Sequence, residues 1–85
     1  MMLLHEIAFH HVQDVEKAKA RILSLIEAKA DINQLNMRHK TPLDEAYAIL
    51  IMRNESCTDN SFILFMEALG AKSGNDPHFV FEKKR

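Results

Sequence analysis

The 85-residue sequence has no tryptophan, one cysteine, two glycines and two prolines. Cys57 has no second cysteine to pair with, which excludes a disulfide-stapled mini-protein and favours a reducing compartment. With Gly70 and Gly74 as the only glycines, no glycine-rich phosphate loop can form. Neither sign of charge dominates: 11 Lys and Arg stand against 12 Asp and Glu, a formal charge of −1. That balance argues against nucleic acid as a partner, because phosphate neutralisation needs a clearly basic face. Long apolar runs are missing as well. The longest, residues 46–52, is seven residues, against the ~20 that a membrane-spanning helix requires. The first residues lack the basic start and apolar stretch of a secretory leader. The expectation is no membrane partner and a cytoplasmic protein, or one delivered to a host cytosol if it is an exported effector.

What is present is the balance of an ordinary folded chain, 47% hydrophobic and 27% charged. The spacing predicts four helices. The first covers about residues 3–11, with Leu4, Ile7, Ala8 and His11 on one face. Asp14 is a good N-cap for the second, which runs to about residue 29 with Val15, Ala18, Ile22, Leu25 and Ile26 as its stripe. In the third, Thr41 caps, Pro42 takes the first helical position and Asp44 reaches back as in a capping box. Its apolar face is Leu43, Ala46, Tyr47, Leu50 and Ile51. The fourth starts in the polar cluster 56–61, carries Phe62, Phe65, Met66 and Leu69 inward, and ends at Gly70. Only residues 78–81 have the composition of a strand, in a tail that either caps the preceding helices or is solvated.

The helices come in pairs, and the pairs resemble each other. Leu4-His5-Glu6 matches Leu43-Asp44-Glu45 at an offset of 39, and Glu27-Ala28-Lys29-Ala30 matches the stretch from Glu67 to Ala71 at 40 or 41. A period near 40 points to stacked helix-turn-helix units. The connection sharpens this. Residues 30–43, with Asp31-Ile32-Asn33 at one end and Thr41-Pro42-Leu43 at the other, resemble the hairpin between consecutive ankyrin repeats. Leu69-Gly70-Ala71 resembles the end of such an array. The resemblance implies an all-α single domain: a short ankyrin-like solenoid of paired antiparallel helices joined by a hairpin-like loop. Repeat one would span about 1–33, the loop 34–40, repeat two about 41–74 and the tail 75–85.

Departures from the family pattern are specific. Asp44 stands where the repeats usually have His, so the contact bracing each repeat would be remade through a carboxylate. His39 stands where the hairpin tip normally has Gly, a position that wants positive φ. Lys29 replaces the Gly that closes the second helix, and at a period near 40, with the loop counted in, both repeats exceed the usual 33 residues.

Chemistry is poorly represented. His5, His10 and His11 sit at i, i+5 and i+6, which do not converge on one helix face, and the zinc motif His-Glu-x-x-His is absent. The histidines read as exposed or hydrogen-bonded. Cys57 lies among Asn54, Glu55, Ser56, Thr58 and Asp59, surroundings that do not activate a nucleophile. Asp44 and Glu45 are adjacent and diverge by about 100° on a helix, so they do not flank one bond. The expectation is no enzyme, no metal and no cofactor.

The ankyrin resemblance implies instead a binding surface made by the hairpin tip and the first helix of each repeat. At the tip it implicates Leu35, Asn36, Met37, Arg38 and His39; on the helices it implicates Glu6, Phe9 and His10, then Glu45 and Ile49. Apolar Leu35, Met37 and Phe9 beside Arg38 have the composition of an interface centre. The expected function is a non-catalytic protein–protein interaction module, an inhibitor or adaptor. The alternatives are a self-associating scaffold such as a homodimer, and a His-based metal- or pH-responsive element.

Overall fold

A computed structural model of the protein describes residues 3–74. Four α-helices account for its regular structure: α1 (Leu3–Phe9), α2 (Val15–Glu27), α3 (Pro42–Met52) and α4 (Ser61–Ala68). A 3-10 turn, His11–Gln13, joins α1 to α2. Among the described residues there is no strand, and no helix is long and apolar enough to cross a membrane. The expected strand at residues 78–81 lies outside the described residues.

Helix starts follow the capping residues. Asp14 accepts the Lys17 N–H and opens α2. Thr41 and Asp44 form a complete capping box at α3, with Pro42 at the first position. At α4 the cap is Asn60, whose Oδ1 accepts from both Phe62 and Ile63. The three long helices also end alike. Lys29, Asn54 and Gly70 each adopt positive φ just past the last turn, at 74°, 61° and 95°. In each case the next residue's N–H reaches back five residues: Ala30 to Leu25, Glu55 to Leu50 and Ala71 to Met66. These are Schellman closures, and only one of the three uses glycine.

The first helix is shorter than its spacing predicts. It stops at Phe9, and His11 turns inward on the 3-10 turn, its ring stacked on Phe62 at 4.1 Å. Helix α1 packs chiefly on α3 and secondarily on α2, while α4 closes against α3 and α2. Leu4, Ile7, Ala8, Ala18, Ile22, Leu43, Ala46, Leu50, Phe62, Ile63 and Met66 form the core between them.

Two core assignments change. Ile51, expected on the apolar face of α3, is 69% exposed. The buried stripe is Leu43, Ala46 and Leu50; the flank carrying Ala48 and Ile51 borders an open depression instead of another helix. Ile63, absent from the expected stripe of α4, is buried. The segment Ser61–Ala68 is apolar almost all round, so spacing alone does not choose its inner face.

Three side chains tie the chain's successive turns together. Asn33 donates from Nδ2 to the Gly70 carbonyl at 3.0 Å and accepts the Lys72 N–H at 2.7 Å. Asp44 accepts from Thr41 N–H (2.9 Å), Gly74 N–H (2.9 Å) and Ser73 Oγ–H (2.6 Å), while Thr41 Oγ1 donates to the Lys72 carbonyl at 2.7 Å. Thr41 and the Asp44 carboxylate thus hold residues 72–74 against the start of α3.

Candidate functional site

The loop between α2 and α3 folds around one side chain. Asp31 Oδ1 first turns the chain by accepting the Asn33 N–H at 2.9 Å. Asn36 then organises the tip. Its N–H donates to the Lys40 carbonyl at 3.0 Å, and its own carbonyl accepts the His39 N–H at 2.9 Å. Its Oδ1 accepts from Arg38 N–H (2.8 Å) and Lys40 N–H (3.0 Å), and its Nδ2 donates to Glu45 Oε2 on α3 at 3.1 Å. The reversal is completed by His39 at φ 61°, in the left-handed region where glycine is preferred.

His5 locks the tip onto α1. Only 3% exposed, it donates from Nε2 to the Lys40 carbonyl at 2.7 Å. A carbonyl can only accept, so Nε2 carries a proton. The His5 Nδ1 is buried without a partner among the described residues. The Lys40 carbonyl therefore takes two donors, one from the tip and one from α1, and the tip is held to both α1 and α3. Backbone fixed in this way presents its outward side chains at little further entropic cost.

The side chains so presented line an open groove of about 540 Å³. Phe9 and His5 come from α1, Leu35, Asn36, Met37 and Arg38 from the tip, and Glu45 from α3. Six of the ten residues expected at a binding surface thus lie around one groove. Met37 is 98% exposed and Leu35 is 42% exposed, large apolar side chains held in water by an ordered backbone. The other four lie elsewhere. Glu6 and His10 are exposed and His39 is exposed on the tip, but none lines the groove. Ile49 is half-buried against the core. His5 was not among the expected site residues. Its signal was available: under the offset of 39 it matches Asp44, so both positions hold a side chain that ties a loop to a helix start.

Arg38 and Glu45 also line a second depression of about 400 Å³, with Tyr47, Ala48 and Ile51 along its α3 wall. Tyr47 donates to Glu67 Oε2 on α4 at 3.3 Å, and partial burial together with that carboxylate raises its pKa. Among the described residues no three His, Cys, Asp or Glu side chains gather into a potential metal site. The groove instead offers apolar surface on Phe9, Leu35 and Met37, rimmed by one guanidinium and one hydrogen-bonded carboxylate. No protein-family model, no curated protein and no solved structure matches this chain.

Proposed function

We propose that the chain is a non-catalytic protein–protein interaction module of ankyrin-repeat type, which binds a partner through the hairpin tip and the groove beneath it. The observation that carries this reading is the ordered tip: Asn36 satisfies its backbone while Met37 and Leu35 stay exposed. Exposed apolar side chains on a fixed backbone, next to an Arg, suit the centre of an interface.

The ankyrin-like part rests on the resemblance of residues 30–43 and on local geometry consistent with it. His39 has the positive φ that the tip position wants, and Lys29 has the one that helix closure wants. The Asp44 carboxylate braces Thr41, as a substitute for the family's His would have to.

The test is recovery of partners from a native extract by the wild-type chain and by a Leu35→Ser/Met37→Ser double variant. The variant changes only exposed side chains and keeps its melting temperature. Loss of the captured protein from the variant alone supports the reading; equal capture by both removes it.

Self-association is the second reading, and one observation favours it. Ile51 and Met52 on α3 are 69% and 72% exposed, and Leu64 on α4 is exposed too. Light scattering at micromolar concentration separates the two, since a monomer excludes the scaffold.

A further inference from the structure

Charges around the groove are unequally satisfied. Asp44 accepts three hydrogen bonds and Glu45 accepts one from Asn36. Arg38 and Lys40, in contrast, make no ion pair among the described residues, whose two salt bridges are Lys19–Glu16 and Arg53–Glu55. The Arg38 backbone is fixed by its N–H to Asn36 Oδ1, so its guanidinium projects from a set point beside Met37. A guanidinium in such a place has five donors matched to a planar carboxylate.

We propose that the groove takes an acidic polypeptide segment from another protein, one that lays an apolar side chain on Phe9, Leu35 and Met37 and sets a carboxylate on Arg38. This rests on the interaction reading above and adds the partner's chemistry to it. The pairing puts the new charge against a cation that makes no ion pair among the described residues, while the carboxylates nearby are already engaged. Two other occupants fit worse. The chain's own residues 75–85 carry Lys83, Lys84 and Arg85 against Asp76 and Glu82, so the segment as a whole brings no net negative charge to Arg38 and Lys40. A nucleic acid would bring a run of phosphates past Glu45 and Asp44 on a chain of net charge −1.

The experiment is selection of a random 12-residue peptide display library on the full chain, followed by affinity measurement with fluorescently labelled synthetic copies of the winners. The expected winners combine Asp or Glu with Leu, Phe or Ile. Their binding should weaken as salt is raised from 50 to 500 mM and fall by roughly tenfold or more in Arg38→Glu. That variant keeps the fold because the Arg38 side chain holds nothing else in place; a circular dichroism melt verifies it. Neutral or basic winners, or no enrichment, overturn the proposal. So does binding that ignores Arg38→Glu. If such binding is still lost in Leu35→Asp, the groove remains a binding surface and only the acidic partner falls. Binding indifferent to both variants sinks the groove reading as well. Three further results would each replace the proposed occupant. One is tighter peptide binding by a Phe79→Ser/Phe81→Ser variant, which assigns the groove to the tail. Another is a dimer that Arg38→Glu dissolves, and the last is preferred binding of a 12-nucleotide single-stranded DNA.

Discussion

Asn33 Oδ1 accepts the backbone N–H of Lys72, thirty-nine positions later in the chain, at 2.7 Å. The interval equals the offset at which Leu4-His5-Glu6 matches Leu43-Asp44-Glu45. One loop is thereby clamped on the next at the period of the sequence's own internal similarity. Asn33→Ala removes this bond and the one to the Gly70 carbonyl. Neither is deeply buried, so the expected loss is about 1–2 kcal/mol in urea unfolding. Asn33→Asp keeps the acceptor and loses the donor, and should fall between the two.

Asp44 is the second clamp. Asp44→Ala breaks the capping box together with the bonds from Ser73 and Gly74, and a loss of about 2–3 kcal/mol is expected. Gly74 gives an independent check. A Cβ there would meet Asp44 Oδ2 at 2.8 Å and the His39 carbonyl at 3.2 Å. Gly74→Ala should therefore cost about 1–3 kcal/mol, although residue 74 carries no buried side chain. Thermal melts of both variants read the effect directly.

Backbone strain at the tip and at the end of α2 predicts stabilising changes. His39→Gly at φ 61° and Lys29→Gly at φ 74° each relieve a left-handed conformation that costs a side-chain-bearing residue roughly 1–2 kcal/mol. Part of the gain is offset by glycine's greater freedom when unfolded. A net gain of about 0.5–1 kcal/mol is expected, seen as a higher melting temperature. Gly70→Ala runs the other way. Nothing lies within 4 Å of the added methyl, so any loss there measures conformation alone.

His11 makes stability depend on pH. Its Nδ1–H donates to the Ala8 carbonyl at 2.8 Å, and its Nε2 is buried without a partner against Phe62. Burial lowers its pKa below 6.5, opposed by the hydrogen bond to Ala8 and by the charge of Glu55. The folded state therefore binds this proton less readily than the unfolded state. His11 imposes no penalty above the unfolded value, and stability is lost as pH falls below about 6.5 toward the lowered folded value. Urea midpoints measured from pH 8 to pH 5 should fall with acid, and more steeply than in His11→Phe, which keeps the ring and removes the titration.

Much of this architecture was legible because local chemistry announced it. Asp14, Thr41-Pro42 and Asp44 mark helix starts by their capping ability, and the structure puts them there. The positive φ at His39 agrees with what the ankyrin resemblance implies for that position; for Lys29 the resemblance implied only a helix-closing position usually held by Gly. Facing was harder to read. Tyr47 and Ile51 fit one apolar stripe on α3, but which flank meets α1 is settled by tertiary packing, and Ile51 was left outside. Helix α4 carries Phe62, Ile63, Leu64, Phe65 and Met66 in a row, so no period distinguishes inside from outside. At the site, Phe9, Leu35, Asn36, Met37, Arg38 and Glu45 share one groove, whereas Glu6, His10, His39 and Ile49 lie outside it. His5 carries no sign of burial by itself; only its match to Asp44 at the offset of 39 signals its role, which depends on a carbonyl 35 residues away.

The most direct measurement is an amide NMR titration of the full, isotope-labelled chain with the protein it captures. The account predicts shift changes gathered on residues 35–38, His5, Phe9 and Glu45, with α2 and α4 unmoved. Changes centred on the exposed faces of α2 or α4, with the tip unaffected, would contradict it.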